Sequence, residues 1–384
     1  MIKSFDYIIA GSGLAGLSLL HRLVQDNHFS GKKILVIDGE QKTKNDRTWC
    51  FWEKGEGTFE PIVHYSWSSL NFFTPEFSKN FQMKSYRYKM ILGDDFYRYV
   101  LDGAASKPNI TFATENIQKI STEGNRGIVQ TDSNYYDGEY VFNSTNLFYP
   151  EISTKNSLLQ HFLGWKIKVD LPTFDPKEAT LMDFTLDQKH GTTFMYMLPT
   201  NTQEALVEYT LFSEKVLERE EYEVELIKYI QDKLKLENYE ITHEEFGIIP
   251  MSLARFDRSI GAEKRIINLG TAGGFTKAST GYTFYFVQKH LDKLVNSLKQ
   301  GQSPALTKTF ADRKYDWYDR TLLDVLLSKK AGGREIFAQL FKNVPPESVL
   351  AFLANESTEW EEFRIQLSVP LTAFIGSGIK QLLH

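Results

Sequence analysis

Asp6-Tyr7-Ile8-Ile9-Ala10-Gly11-Ser12-Gly13-Leu14-Ala15-Gly16 is an apolar strand that runs into a glycine pattern and on into the helical stretch Leu17 to Val24. A second apolar run, Lys33-Ile34-Leu35-Val36-Ile37-Asp38, ends on a carboxylate. Together they read as the first βαβ unit of a dinucleotide fold. Gly11 permits the tight turn, Gly13 lets the backbone approach a pyrophosphate, and Gly16 lets the helix pack closely on the strand. Leu14 and Ala15 open the helix, whose free amide groups face the anion. Asp38 is placed to accept hydrogen bonds from the ribose hydroxyls of FAD or NAD and would repel a 2′-phosphate. The motif alone does not separate the two dinucleotides.

Far downstream the same logic returns. Arg265-Ile266-Ile267-Asn268-Leu269 leads into Gly270-Thr271-Ala272-Gly273-Gly274, followed by a helix expected over Thr283 to Leu298. Two glycine-rich strand-to-helix turns can clasp an extended dinucleotide at its pyrophosphate and its flavin end. Between them, Asp46-Arg47-Thr48-Trp49-Cys50-Phe51-Trp52 sets charge beside dense aromatic content. It reads either as an arginine held by partners with its rings against a flat cofactor such as a flavin, or as a surface loop with a buried aromatic plug. Cys50 is read as packing, since Arg47 is the only base near it in sequence.

The 384 residues allow two or three domains of ~100 to 200 residues. A net charge of -5 supplies no basic field, so nucleic acid is not an expected partner. The single cysteine excludes an internal disulfide and a multi-cysteine metal site, fits a reducing compartment, and no metal is expected. No signal-peptide pattern precedes the first strand and no apolar run approaches spanning length, so the protein is expected to be cytoplasmic or peripheral to a membrane. Phe, Tyr and Trp make up 14% of the chain, which suits an aromatic core or a long apolar tunnel for a hydrophobic substrate.

Residues 60 to 90 read as strands or loops over a pocket. Asp94 to Ala105 reads as a helix capped by Asp94. A four-strand meander is expected over Ile110-Ala113, Ile117-Ser121, Gly127-Thr131 and Tyr140-Asn143. Alternation over Gln160-Val169, Thr180-Phe184, Thr192-Leu198 and Ala205-Phe212 predicts an antiparallel sheet. Glu208 lies in the apolar run Ala205-Leu206-Val207-Glu208-Tyr209. Desolvation there would raise its pKa, unless it faces solvent. Glu218 to Leu236 reads as an acidic helix burying Val224, Ile227 and Leu234, and a strand is expected to begin at Phe246. Ser303 to His384 is largely helical, either capping the sheet or resting on a bilayer. Its few basic residues favour capping.

The chain resembles the flavin-dependent lycopene cyclases of the bacterial beta-cyclase type. The resemblance rests on Gly11-Ser12-Gly13-Leu14-Ala15-Gly16, Asp46-Arg47-Thr48-Trp49, Gln160-His161-Phe162-Leu163-Gly164-Trp165, Met182-Asp183-Phe184, Tyr196-Met197-Leu198-Pro199, Val207-Glu208-Tyr209-Thr210, Gly247-Ile248-Ile249-Pro250-Met251 and Ala272-Gly273-Gly274-Phe275 through Thr280-Gly281-Tyr282. These motifs cover nearly the whole chain in the family's order. The resemblance implies an α/β fold: a Rossmann-type FAD-binding domain (1–60, 91–155 and 255–300), an inserted antiparallel β-sheet substrate domain (61–90 and 156–254), and a helical C-terminal region (301–384). It implies reduced FAD held by Gly11, Gly13, Leu14, Ala15, Gly16, Asp38, Arg47, Gly270, Ala272, Gly273, Gly274 and Gly281, with NAD(P)H as reductant. Glu208 becomes the general acid that starts redox-neutral ring closure on an acyclic carotenoid, and a membrane surface becomes a partner. Which acyclic carotenoid, whether one or both ends close, and the oligomeric state stay open.

Three departures from the family pattern stand out. Thr271 follows Gly270 where many flavoproteins have aspartate, which favours a cyclase over a monooxygenase. Tyr209 stands where relatives often place a second carboxylate, and Lys277 lies where they have a proline nearby. The rival readings are a flavin reductase or monooxygenase acting on another isoprenoid, and a non-enzymatic carotenoid-binding flavoprotein.

Overall fold

The computed structural model describes residues 2–383. Its fold is mixed α/β, with three sheets and helices gathered at the C-terminal end. The strand Lys3–Ala10 sits mid-sheet, with Tyr135–Asn143 parallel on one side and Ile34–Asp38 parallel on the other. Ile110–Thr114 and Ile266–Asn268 extend the sheet in parallel at its two flanks. Strands buried on both faces read as continuous apolar runs, which is why Ile8 to Ala10 and Ile34 to Ile37 have no polar alternation. Helices Leu14–Gln25 and Phe284–Lys299 pack together with this sheet, joined by Arg22, which donates to Asp292 and Gln288.

The expected meander is only partly one. Ile117–Glu123 and Arg126–Thr131 form an antiparallel hairpin on Tyr135–Asn143, but Ile110–Thr114 and Tyr135–Asn143 are themselves members of the parallel sheet. The helix Gly93–Ala105 starts one residue earlier than expected: Leu92 is its N-cap, and Asp94 lies in the first turn, where its charge favours the helix dipole.

The second sheet has seven strands in the order Glu240–Ser252, Ser157–Lys168, Glu204–Ser213, Thr192–Pro199, Glu178–Asp183, Ser69–Phe73 and Ser78–Gln82. All neighbours are antiparallel except Glu178–Asp183 with Ser69–Phe73. One face is covered by the helix Arg219–Lys228 and its π-helical continuation Tyr229–Lys233. This helix buries Tyr222, Leu226, Tyr229 and Ile230, while Val224 and Ile227 are exposed, so of the expected stripe only Leu234 packs against the core. Tyrosine decides the face, because the rings of Tyr222 and Tyr229 bury more area than Val224 or Ile227 and their hydroxyls find partners in the sheet.

The opposite face meets the small sheet of Thr48–Lys54, Tyr65–Trp67 and Tyr86–Leu92 and the C-terminal helices in one shared core. Phe341 of the helix Gly333–Asn343 stacks on Phe72, and Phe337 stacks on Phe184. Trp52 Nε1 donates to the Leu350 carbonyl at 3.0 Å. Capping of the sheet by the C-terminal region is therefore what forms. Lys277, buried in the second glycine loop, pairs with Asp319 of the helix Phe310–Leu327 at 2.7 Å and also reaches Asn355. This ion pair ties the second glycine loop to the C-terminal helices.

Candidate active site

The first glycine turn has the geometry its residues imply. Gly11 has φ of +98°, and a Cβ at Gly16 would stand 2.0 Å from the Gly11 carbonyl oxygen, so both positions require glycine. A Cβ on Gly13 would meet nothing within 4 Å. That glycine leaves open space at the mouth of the turn, as the approach of a pyrophosphate needs. Asp38 Oδ2 accepts from the Ser12 amide at 2.6 Å and its hydroxyl at 2.8 Å, so the carboxylate braces the turn. Its other oxygen takes only the Glu40 amide at 3.1 Å and keeps acceptor capacity.

In the second turn, Gly270 and Gly274 have φ of +53° and +73°, and a Cβ at Gly273 would stand 2.4 Å from the Asn268 carbonyl oxygen. Ala272 is buried. Gly281, with φ of +73°, stands where a Cβ would lie 2.1 Å from Gln160 Oε1. This Gln160 oxygen and the Thr280 hydroxyl are buried without a hydrogen-bond partner. Buried polar atoms normally find partners, so two orphans beside one loop fit the polar edge of a bound ring such as a flavin.

The segment around Arg47 follows the aromatic-plug reading. Arg47 is exposed and its side chain donates to the Asp46 carbonyl at 2.9 Å. No side-chain partner holds it, contrary to the first of the two expectations. The rings pack on protein: Phe51 stacks on Phe284 with centroids 4.2 Å apart, and Trp52 meets Tyr282 edge-on at 4.5 Å.

Glu208 lies on the face of the large sheet that looks into the shared core. The register sets Tyr196, Glu208, Gly164 and Glu245 side by side across four strands. Because side chains alternate along a strand, residues in lateral register share a face, so both carboxylates flank a glycine. A Cβ at Gly164 would lie 3.5 Å from Glu208 Cβ and 3.2 Å from Glu245 Cγ. Tyr209 points to the other face, among Tyr222, Leu211 and Val207. A second carboxylate, Glu245, thus reaches the face of Glu208 from another strand.

Sequence reading missed Glu245 by starting its strand at Phe246, six residues late. Glu240 to Glu244 is mostly exposed and polar and gives no alternation signal, although the strand runs from Glu240 to Ser252. Only the pairing register with Gly164 reveals the residue.

Glu208 stands deep in the protein yet retains accessible surface, so it borders internal space. Burial pushes its carboxyl well above the usual range, Glu245 pushes it further, and the Thr210 hydroxyl, donating at 2.7 Å, opposes both. Burial raises Glu245 too, with Thr48 and Arg47 pulling it down. Around the pair stand Cys50, Tyr88, Tyr196 and Tyr282, all pushed up by burial and therefore neutral at physiological pH. The site is a carboxylic acid inside an aromatic, water-poor interior, suited to donating a proton to a weakly basic substrate. A separate cavity of ≈ 900 Å³, lined by Arg258, Gly274, Lys293 and Arg320 among others, reaches neither Glu208 nor Gly13. Among the described residues no cluster of metal-ligating side chains occurs.

The family described as lycopene cyclase protein matches residues 6–377. The chain belongs to the lycopene cyclase family. Two relatives, the lycopene beta-cyclases of Pseudescherichia vulneris and Pantoea ananas, are each 23% identical. The first match covers 95% of this chain and 94% of the relative, the second 96% of each. Among solved structures, a flavoprotein/dehydrogenase from Cytophaga hutchinsonii superposes with a TM-score of 0.61 at 12% identity, covering 99% of both chains. A geranylgeranyl bacteriochlorophyll reductase-like protein from Thermoplasma acidophilum gives 0.57 at 13%, covering 100% of this chain and 96% of that one. A probable FAD-dependent monooxygenase from Pseudomonas aeruginosa gives 0.57 at 12%, covering 88% and 97%. These likenesses establish the fold.

Proposed function

We propose that this cyclase-family protein closes the linear ends of lycopene into beta-ionone rings, giving beta-carotene by an acid-initiated isomerisation with no net redox change. The observation that carries the reading is Glu208, a carboxyl that burial and Glu245 push well above the usual range, set in an aromatic interior of a chain that belongs to this family. Glu208 donates its proton to the terminal double bond of the substrate, and a proton leaves the ring after closure. The aromatic faces of Tyr196, Tyr282 and Trp52 attract the intervening cation, and the closed interior keeps water from capturing it.

FAD is the cofactor the two glycine turns fit, with Gly11, Gly13, Leu14, Ala15, Gly16 and Asp38 at its pyrophosphate and ribose and Gly270, Ala272, Gly273, Gly274 and Gly281 toward the flavin. Arg47, exposed and without a side-chain hydrogen bond, acts on Glu245 through its charge and keeps donors free for the cofactor. When bound in its reduced form, FAD supplies an electron-rich neighbour for the cation, and NAD(P)H serves to reduce it. Gly13→Val fills the open approach and should abolish flavin binding, read as loss of the yellow chromophore from purified protein.

The membrane contact is proposed at the C-terminal helix Leu371–Leu383, where Leu371, Ile375, Ile379, Leu382 and Leu383 are exposed on one side. No helix among the described residues is long and apolar enough to cross a membrane. High salt or carbonate should release part of the protein from membranes, and a need for bilayer-dissolving detergent would overturn the peripheral reading.

Expression in lycopene-accumulating cells followed by pigment chromatography tests the activity. In deuterated water each ring should gain about one solvent deuterium and no hydride from labelled NAD(P)H. Hydride in the product would make the protein a reductase instead. A bound but unchanged carotenoid, whatever the flavin's redox state, would make it a binding protein.

A further inference from the structure

We propose that Glu245 is the ionised partner that keeps Glu208 in its acid form, the two side chains leaning over Gly164 from flanking strands while Arg47 and Thr48 attend Glu245 alone. The inference deepens the cyclase reading and rests on it for the role of Glu208.

Geometry comes first. Both glutamates lie in register with Gly164, one on each side. Adjacent strands are ~5 Å apart, so two glutamates separated by one strand start roughly 10 Å apart at their backbones. Both side chains border the space above the glycine: an added Gly164 Cβ would stand 3.5 Å from Glu208 Cβ and 3.2 Å from Glu245 Cγ and Leu206 Cδ1. Any side chain at 164 would stand between them. Glycine there serves the carboxylate pair, since the strand itself has no use for it.

Two like charges in such a place cannot both ionise cheaply, so the pair holds a proton, and the surroundings decide where. Every group facing Glu208 is neutral or negative. The strand Thr48–Lys54 brings Cys50, Thr192–Pro199 brings Tyr196, and the second glycine loop brings Tyr282, with Tyr88 of Tyr86–Leu92 among these three. Thr210 gives its carboxylate a single hydroxyl. On the other side, burial raises Glu245 as well, but the Thr48 hydroxyl and the positive charge of Arg47 pull it back, and Glu208 has no cation to do the same. The proton therefore settles on Glu208, and the charge on Glu245 tightens its hold. Glu245 acts through Glu208 and is a positioning residue; the acid that touches substrate remains Glu208. Environments that push two neighbouring carboxyl groups apart are how proteins assign acid and base forms to chemically identical side chains.

The test is an infrared titration of the full-length protein, following the carbonyl band of a protonated carboxylic acid, beside the pH profile of cyclisation. Wild type should show a band that persists above the ordinary carboxylate range and vanishes in Glu208→Gln. In Glu245→Gln the band should remain, with its midpoint lowered by about one pH unit or more, the usual effect of removing a close like charge. The alkaline limb of kcat/KM should fall by the same amount, while the acid-side plateau stays within a few-fold. Arg47→Gln, at an exposed position, should let Glu245 take up a proton at higher pH than in wild type, which gives a second reading if Glu245→Gln folds poorly. An unmoved midpoint in Glu245→Gln, a band that disappears with Glu245 and survives loss of Glu208, or an unaltered Glu245 in Arg47→Gln would each overturn the assignment. A protein with no cyclase activity but the expected titrations would instead sink the functional reading and leave the pair standing.

Discussion

Two polar clusters lie back to back on opposite faces of the large sheet. On the helix-covered face, His161 is enclosed by a chain of hydrogen bonds that closes on itself. The Tyr222 hydroxyl lies 2.5 Å from His161 Nδ1 and takes the Leu217 amide at 3.3 Å, while His161 Nε2 lies 2.7 Å from Ser213 Oγ, which donates to the Lys215 carbonyl. Since the Ser213 proton is committed to Lys215, Nε2 must carry the imidazole proton and Nδ1 must accept from Tyr222. Burial lowers the imidazole pKa to about 4, so the ring is neutral and fully paired. On the core-facing side, Glu208 and Glu245 share no such closure: they repel each other, and the orphaned Gln160 oxygen lies on the same face. A satisfied buried network stabilises and specifies a fold, whereas an unsatisfied one costs stability and persists where it does chemistry.

The largest expected effect tests the unsatisfied cluster. Glu208→Gln keeps the side chain's size but has no acidic proton to give, and product formation should drop by ~100-fold or more with flavin content unchanged. Near wild-type turnover in a folded, flavin-loaded Gln variant would remove Glu208 from the mechanism.

The two clusters should also bend stability with pH in opposite directions. Glu208 has a folded pKa above its unfolded one, so its contribution is present below the ordinary carboxylate range and is lost as pH rises through the raised value. His161 has a folded pKa below its unfolded one, so its contribution is present above the ordinary imidazole range and is lost as pH falls toward about 4. Thermal melts across pH should show the alkaline fall flattened in Glu208→Gln and the acid fall flattened in a His161 variant. Melts of the two variants with identical pH profiles would erase the distinction.

His161→Ala should cost about 1–3 kcal/mol, because it strands the Tyr222 and Ser213 hydroxyls. Activity per folded molecule should stay the same, and chemical denaturation run beside the pigment assay separates the two quantities. Smallest of all is Tyr209→Phe. Its hydroxyl has Thr193 as partner on the helix-covered face, so about 1 kcal/mol of stability should go and cyclisation should not change. A large activity loss there would mean that the face assignment is wrong.

Much of this was written locally. The glycines of both turns, the apolar strands before them and the bracing acid Asp38 are short-range features whose spacing is fixed by one strand, one turn and one helix, so sequence order alone locates them. Glu208 was legible because its own strand is apolar. The buried stripe of the helix after Glu218 was misread because apolarity was weighed above aromatic area. The segment around Arg47 left two readings open, because charge beside rings fits both a cofactor contact and an aromatic plug, and only packing decides between them.

The sequence by itself determined the two glycine turns, the largely antiparallel character of the large sheet and the apolar setting of Glu208, since each depends on neighbours a few residues away. Tertiary structure alone decided which face Glu208 looks into, that Tyr209 looks into the other, that Lys277 is clamped by Asp319, and that Glu245 reaches Glu208 across a glycine. The physical reason is strand pairing. A register shift of one residue turns every side chain to the opposite face, and nothing within a single strand records its register with strands far away in the chain.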